Sequence, residues 1–329
     1  MATIVTALRR GRPRGVHLGD LASSIGLVGS LIALCVLFAV LSDVFLQWNN
    51  ALNIGRASAY TGIAAAITTL VLIGGGLDLS IGAVMALTSV VAARLLSSGQ
   101  PLWLVLLACV LVGGLVGVVN GGLVTFVGLN PLIVTIGTQF VVRGIAFALT
   151  VVQGGELLIT DSDFLYIGQE SLLGLPVSLW LLLASLAGVG WVLSRTRFGR
   201  HVYAIGGNAQ AARLAGIPLS LRRMQIYVLS GVGSAVAGIV LASYTGAGIA
   251  YAASGVELTV IGAVILGGTA LLGGKGTVFG TFLGIAILGV INNGIVLLGL
   301  GNHWQLISTG SILILAIVID EVRAKLGAR

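Results

Sequence analysis

From residue 21 onward the chain is a succession of apolar runs. Each is close to the roughly 20 residues that a helix needs to cross a membrane. The runs fall at 21–41, 54–73, 81–96, 102–127, 132–152, 177–193, 224–244, 258–272, 277–300 and 304–319. Only 8% of the 329 residues are charged and 57% are hydrophobic, whereas a soluble domain carries roughly a quarter charged residues. The pattern predicts an all-α polytopic membrane protein of about ten transmembrane helices with glycine-rich breaks. A single membrane domain is expected over 21–320, flanked by tails at 1–20 and 321–329.

Charge orients these spans. Fourteen of the 17 basic residues fall on one side when the N-terminus is placed in the cytoplasm. They comprise four in the first tail, six between Arg195 and Arg223, Lys275, and three near the C-terminus. The loop at 153–176, on the other face, has Glu156, Asp161, Asp163 and Glu170 and no basic residue. Cytoplasmic loops retain Lys and Arg, so an even number of crossings with both termini inside is expected. The same rule accounts for the net charge of +7 without a nucleic-acid partner. The apolar run after Arg14 is too long for the core of a cleavable signal peptide.

The longest polar interruption is the segment at about 195–223. Asn208 is placed to cap a helix over 209–215, Gly216 to end it in the left-handed conformation, and Pro218 to prevent a restart. Two turns of helix are unstable alone in water, so this segment is either an ordinary basic loop or a docking helix. For docking, Ala209, Ala212 and Ala215 would supply a smooth face. Two further breaks, at 74–80 and 267–276, each join spans that enter and leave on the same side. Such pairs can mark discontinuous helices and internal duplication.

Sites for chemistry are absent from the sequence. A phosphate-binding loop ending at Lys275 would need Gly where Thr269 stands and Ser or Thr where Gly276 stands. Residues 246–251 lack the third glycine of a dinucleotide fingerprint. His17, His201 and His303 are far apart in the chain and suggest neither a metal site nor a triad. Cys35 and Cys109 lie in apolar spans and imply no disulfide framework.

Polar residues inside the spans carry open alternatives. Asp78 could cap the third span or stand in a gate. Arg143 must face a cavity or a partner; it could bond solute hydroxyls, pair with Glu156 or reach outward. Asn120, Asn292 and Asn293 could line a hydroxyl-friendly path or bond across helices. Trp48, Trp103, Trp180, Trp191 and Trp304 are expected to anchor span ends at the membrane interface.

Several motifs run together through nearly the whole chain: Gly74-Gly-Gly-Leu-Asp-Leu-Ser-Ile-Gly82, Asn130-Pro-Leu-Ile-Val-Thr-Ile-Gly137 with Arg143-Gly144, and Thr196-Arg-Phe-Gly-Arg followed by Ala204-Ile-Gly-Gly-Asn208. Gly255-Val-Glu-Leu258, Leu266-Gly-Gly-Thr269, Gly273-Gly-Lys-Gly-Thr277 and Asn292-Asn-Gly294 complete the set. With them the sequence resembles the transmembrane permease subunits of bacterial ABC importers for monosaccharides, the ribose, xylose and arabinose type. It departs where the family often has a second acid after Leu258.

The resemblance implies a subunit of the inner membrane that hydrolyses no ATP itself and binds no cofactor or metal. ATP and Mg would sit on a cytosolic ABC ATPase. A second permease, identical or different, and an external sugar-binding protein would complete the assembly. Gly199, Arg200, Gly207, Asn208, Ala209, Ala212, Arg213 and Gly216 would form the coupling segment against the ATPase. The candidate solute path comprises Asp78, Asn120, Asn130, Thr135, Arg143, Asn292 and Asn293. A polyol, a furanoid signal or a nucleoside are alternative solutes. An ion-coupled secondary transporter is the alternative from another class, with Asp78 its sole candidate ion site.

Overall fold

The computed structural model describes residues 18–327. Thirteen α-helices follow in chain order: α1 (Leu18–Leu41), α2 (Trp48–Ile73), α3 (Ile81–Ser97), α4 (Leu102–Gly122), α5 (Pro131–Thr150), α6 (Ser162–Gln169), α7 (Val177–Arg195), α8 (Arg197–Gly207), α9 (Ala209–Leu214), α10 (Leu219–Thr245), α11 (Val256–Leu266), α12 (Val278–Leu297) and α13 (Asn302–Gly327). Two ribbons of paired strands supplement the helices. β1 (Glu156–Leu158) pairs antiparallel with β4 (Ala247–Ile249), and β2 (Ser171–Leu172) pairs with β3 (Leu175–Pro176).

Among the described residues six helices are long and apolar enough to cross a membrane, and four shorter apolar helices occupy the remaining expected places. Together they define a polytopic membrane protein. The tail expected at 1–20, with His17, lies mostly outside the described residues. The expected C-terminal tail is largely a continuation of α13, as far as Gly327. All five tryptophans are exposed and lie close to helix ends.

Three boundaries differ from expectation for local reasons. The eighth span stops at Leu266 rather than Leu272, because Gly268 takes a positive φ of 88° and Thr269 begins a loop. The seventh starts at Leu219, directly after Pro218. Proline does not stop a helix there; its fixed φ suits the entry to the first turn. The polar loop at 153–176 is itself built, with β1, a 3-10 turn and α6. Asp161 caps α6 by accepting from the Phe164 amide at 2.8 Å.

α2 is buried along most of its length and packs on α7, α10, α11 and α12. Its inner half, from Ala59 to Ile73, has almost no exposed side chain, so lipid does not reach it. α10 closes on the other side of the core, against α3 and α4. Spacing every fourth residue brings Gly113, Gly117 and Gly121 of α4 onto one face. A Cβ at Gly113 would lie 2.4 Å from the Gly231 carbonyl oxygen, and one at Gly117 equally close to that of Tyr227. Apolar side chains gain little from leaving lipid, so close backbone approach supplies the contact that holds these helices.

Gly113→Leu should therefore destabilise the detergent-solubilised protein by about 1–3 kcal/mol through overpacking, read as a lower unfolding midpoint. Gly114→Leu is the control, since a Cβ there meets only Val232 at an ordinary 3.6 Å. Equal midpoints for the two variants would contradict this account of the α4–α10 seam.

Candidate functional site

The segment after α7 forms an elbow of two helices, whereas the sequence pattern suggested only the second. Thr196 caps α8, its hydroxyl accepting from the Gly199 amide at 3.0 Å. Gly199, Val202 and Ile205 form the buried stripe of α8. Val202 joins Leu70, Val71, Ile73, Leu193 and Ile226 in one cluster, which ties the elbow to α2, α7 and α10. Arg200 stays exposed on the opposite face. Arg222 donates from Nε to His201 Nδ1 at 3.0 Å and lies over the Phe198 ring. Burial lowers the His201 pKa, as do the Arg222, Arg200 and Arg197 guanidinium groups.

α9 follows the expected plan. Asn208 Oδ1 accepts from the Ala211 amide at 2.9 Å, and Gly216 ends the turn with φ 80°. Of the expected alanine face, Ala215 is exposed and Ala209 half-buried, but Ala212 is only 4% exposed and looks inward, because α9 rests on α10. Gln210, Ala211, Arg213, Leu214 and Ala215 face outward, and Leu214 is 84% exposed. Leu214 is thus an outward apolar side chain among polar neighbours.

The end of α8 meets both glycine-rich breaks. The Gly274 amide donates to the Ile73 carbonyl at 2.8 Å, and Tyr203 Oη donates to the Gly276 carbonyl at 2.9 Å. A Cβ at Gly273 would lie 2.8 Å from Gly75 Cα and 3.1 Å from Gly206 Cα. One at Gly206 would collide with the Ile73 oxygen. Three separate stretches thus touch backbone to backbone, which only glycine permits. Beside them opens a groove of about 740 Å³, lined by Ser194, Arg200, Tyr203, Thr277 and Phe279 among others.

Asp78 does not cap α3, because Ser80 occupies the cap position. Asp78 Oδ1 accepts from the Ser80 amide (2.9 Å) and hydroxyl (2.6 Å), and Oδ2 accepts from the Ser230 hydroxyl of α10 (2.7 Å). Asn120 of α4 donates to the same Ser80 hydroxyl at 2.9 Å. Asp78 and Asn120 are 3% and 1% exposed. They lock the first break to α4 and α10. Asn130 caps α5 through the Leu132 amide, and the Thr135 hydroxyl donates to the Pro131 carbonyl, so both serve the start of α5.

Arg143 finds its partners in the turn before α11. Its Nη1 donates to the Ala250 carbonyl at 3.0 Å and to that of Ala252. Glu156, the suggested partner, instead accepts from Tyr251 Oη at 3.4 Å. One turn before Arg143, Gln139 Nε2 donates to Glu257 Oε1 at 3.0 Å. Gln139 and Glu257 were missed, although an acid in the first turn of so apolar a helix as α11 was a readable signal.

Asn293 and Asn50 exchange two amide hydrogen bonds, at 2.8 and 3.0 Å, joining α12 to α2. They border a crevice of about 590 Å³ between α2, α11 and α12, closed by the ends of α10 and α13. Asn292 also lines it. The candidate path residues therefore fall in separate places: Asp78 with Asn120, Asn130 with Thr135, Arg143 alone, and Asn292 with Asn293.

Apolar helices broken by glycine turns, with one basic elbow welded to those turns, describe a polytopic membrane protein. Residues 50–317 match the family described as "Branched-chain amino acid transport system / permease component". The ribose import permease protein RbsC of Haemophilus influenzae is 35% identical over 299 residues, 89% of this chain and 92% of that protein. The L-arabinose transport system permease protein AraH of Escherichia coli is 37% identical over 300 residues (90% and 91%). The D-allose transport system permease protein AlsC of Escherichia coli is 33% identical over 302 residues (90% and 92%). No solved structure matches. The chain belongs to this family of ABC importer permeases, which sets aside the ion-coupled alternative.

Gly206→Ala should separate the elbow from the two breaks, since its methyl group has no room beside the Ile73 carbonyl. Gly207→Ala adds a methyl group to open space. Purified with its ATPase, the first variant should show a lower unfolding midpoint or lost transport, and the second should match wild type. Wild-type behaviour of Gly206→Ala would dissolve the junction as a functional element.

Proposed function

We propose that the chain is one of two permeases, identical or different, in a bacterial inner-membrane importer for a monosaccharide. The relatives named for ribose, L-arabinose and D-allose support a sugar as solute. In this reading ten spans place both termini in the cytoplasm, with tails at 1–20 and 321–329 around a membrane domain at 21–320. An external binding protein delivers the solute. ATP and Mg are held by a cytosolic ATPase that docks on the coupling loop at about 195–223.

The observation that carries this proposal is the glycine junction. An exposed elbow that merely connected two spans would have no need to press backbone against both breaks in the membrane domain. An elbow that must pass a push inward does. Gly199 and Gly207, with Asn208 and Gly216, give the elbow its shape, while Arg200, Arg213 and Leu214 present the surface that a partner would meet. Asp78 and Asn120 then act as fasteners of the moving break, not as solute ligands, and Asn130 and Thr135 fix the start of α5. Arg143, Asn292 and Asn293 remain as residues of the path.

Leu214→Asp should leave the solubilised permease as stable as wild type, because the side chain touches little of its own chain. It should abolish capture of the cognate ATPase or cut transport at least tenfold, since a carboxylate enters an apolar docking cleft unpaired. Normal capture and transport would remove the docking role. Topology is tested separately by cysteine labelling in intact cells. Positions near Ser162 should react from outside and those near Gln210 only after permeabilisation; the opposite pattern would overturn the orientation.

A further inference from the structure

The crevice beside the Asn50–Asn293 pair has a chemistry that its family's general description does not predict. Asn53, Ser58, Thr61, Thr259, Asn292 and Gln305 supply amides and hydroxyls to its lining, and the lining contains no charged side chain. Tyr60 and Tyr244, both lining residues, lie with ring centroids 6.3 Å apart and planes inclined by 29°. The Asn50 and Asn293 amides bond each other, but the Asn292 amide has no partner among the described residues. The volume of about 590 Å³ lies within the range of small-molecule sites, roughly 300–1,000 Å³.

We propose that this crevice is where the solute is held on its way through the permease, and that it selects an uncharged, polyhydroxylated molecule. This deepens the sugar-importer reading and rests on it. An amino acid would bring an ammonium and a carboxylate into a space with no opposite charge, and burying unpaired charge is prohibitive. Carboxamides and hydroxyls donate and accept at once, which matches the alternating donor and acceptor character of a sugar hydroxyl. The tyrosine rings offer apolar faces to the C–H side of a sugar ring. Asn292 is the principal ligand, since its amide is not engaged by the fold. Asn50 and Asn293 are positioning residues that hold the crevice wall.

The test uses the complete importer in proteoliposomes, with labelled D-ribose, L-arabinose, D-allose and L-leucine as probes. Asn292→Leu keeps the volume and removes the amide. It should retain the wild-type unfolding midpoint, lower uptake about tenfold, the loss expected of one or two solute hydrogen bonds, and change the ratio of rates among the sugars. An equal fall for every sugar with a lower midpoint would mean a packing defect, and unchanged uptake would mean an unused crevice; either overturns the proposal while leaving sugar import intact. In a Cys35→Ser background, Ala57→Cys places a thiol in the crevice wall. Added transported sugar should slow its reaction with a charged thiol reagent, and L-leucine should not. Absence of sugar protection would also overturn the site. Uptake of L-leucine and of no sugar by the wild-type importer would instead sink the sugar reading itself, and this inference with it.

Discussion

Backbone polar groups set the terms for this structure. A helix that breaks within a membrane domain frees amides and carbonyls that lipid cannot satisfy, so broken backbone persists only where protein encloses it. Here the break after α2 and the loop after α11 are enclosed by each other and by the end of α8. The Gly274 amide takes the Ile73 carbonyl that the end of α2 leaves free. Asp78 then accepts two hydrogen bonds from Ser80 inside the first break and one from Ser230 that ties the break to α10. Glycine is required because a single Cβ at Gly206 or Gly273 would push these strands of backbone apart. The junction is therefore both a solution to a solvation problem and the place where three segments of the chain share one position.

Much of this was legible in the sequence because period and charge are strong signals in a membrane chain. The ten apolar runs, the Asn208 cap and the left-handed Gly216 all have helices or turns in the expected places. What failed to show was α8. Its residues, Arg197 to Gly207, alternate basic, aromatic and small types without a long apolar run, so the segment resembled a loop. It is held by Val202, which reaches a cluster supplied by α2, α7 and α10. Tertiary packing of this kind leaves no trace in a local window. The same cause reversed Ala212, whose burial depends on where α10 begins.

The polar residues inside the spans divided by chemistry in a way that spacing could not foresee. Arg143 and Glu257 sit on different helices, 114 positions apart, and are brought to one region by Gln139 and by the carbonyls of the turn between β4 and α11. A charge buried without a partner is destabilising, and each here has found fixed dipoles or an amide instead. Asp78 and Asn120 looked like path residues for the same reason that Arg143 did, since each is polar in an apolar run. Asp78 differs in being fully buried with three hydrogen bonds accepted. A side chain that is to bind a solute must keep some bonding capacity, and Asn292 is left with its amide unengaged.

Two helices connect the crevice to the glycine junction. α2 begins beside Asn50 and Asn53 and ends at Ile73, while α12 begins after Thr277 and reaches Asn292 and Asn293. Each has 20 residues or more, a length of about 30–40 Å at 1.5 Å per residue. They are joined at the crevice end by the Asn50–Asn293 pair and towards the junction end by the Thr69 and Thr281 hydroxyls, 2.6 Å apart. Two rods fastened at both ends resist sliding past each other, so a displacement applied at one end is felt at the other. α8 bears on the end of α2 and, through Tyr203 and Gly276, on the residue before the α12 cap. Movement of the elbow consequently has a rigid route to the walls of the crevice, and a solute held there would act back on the elbow through the same two helices.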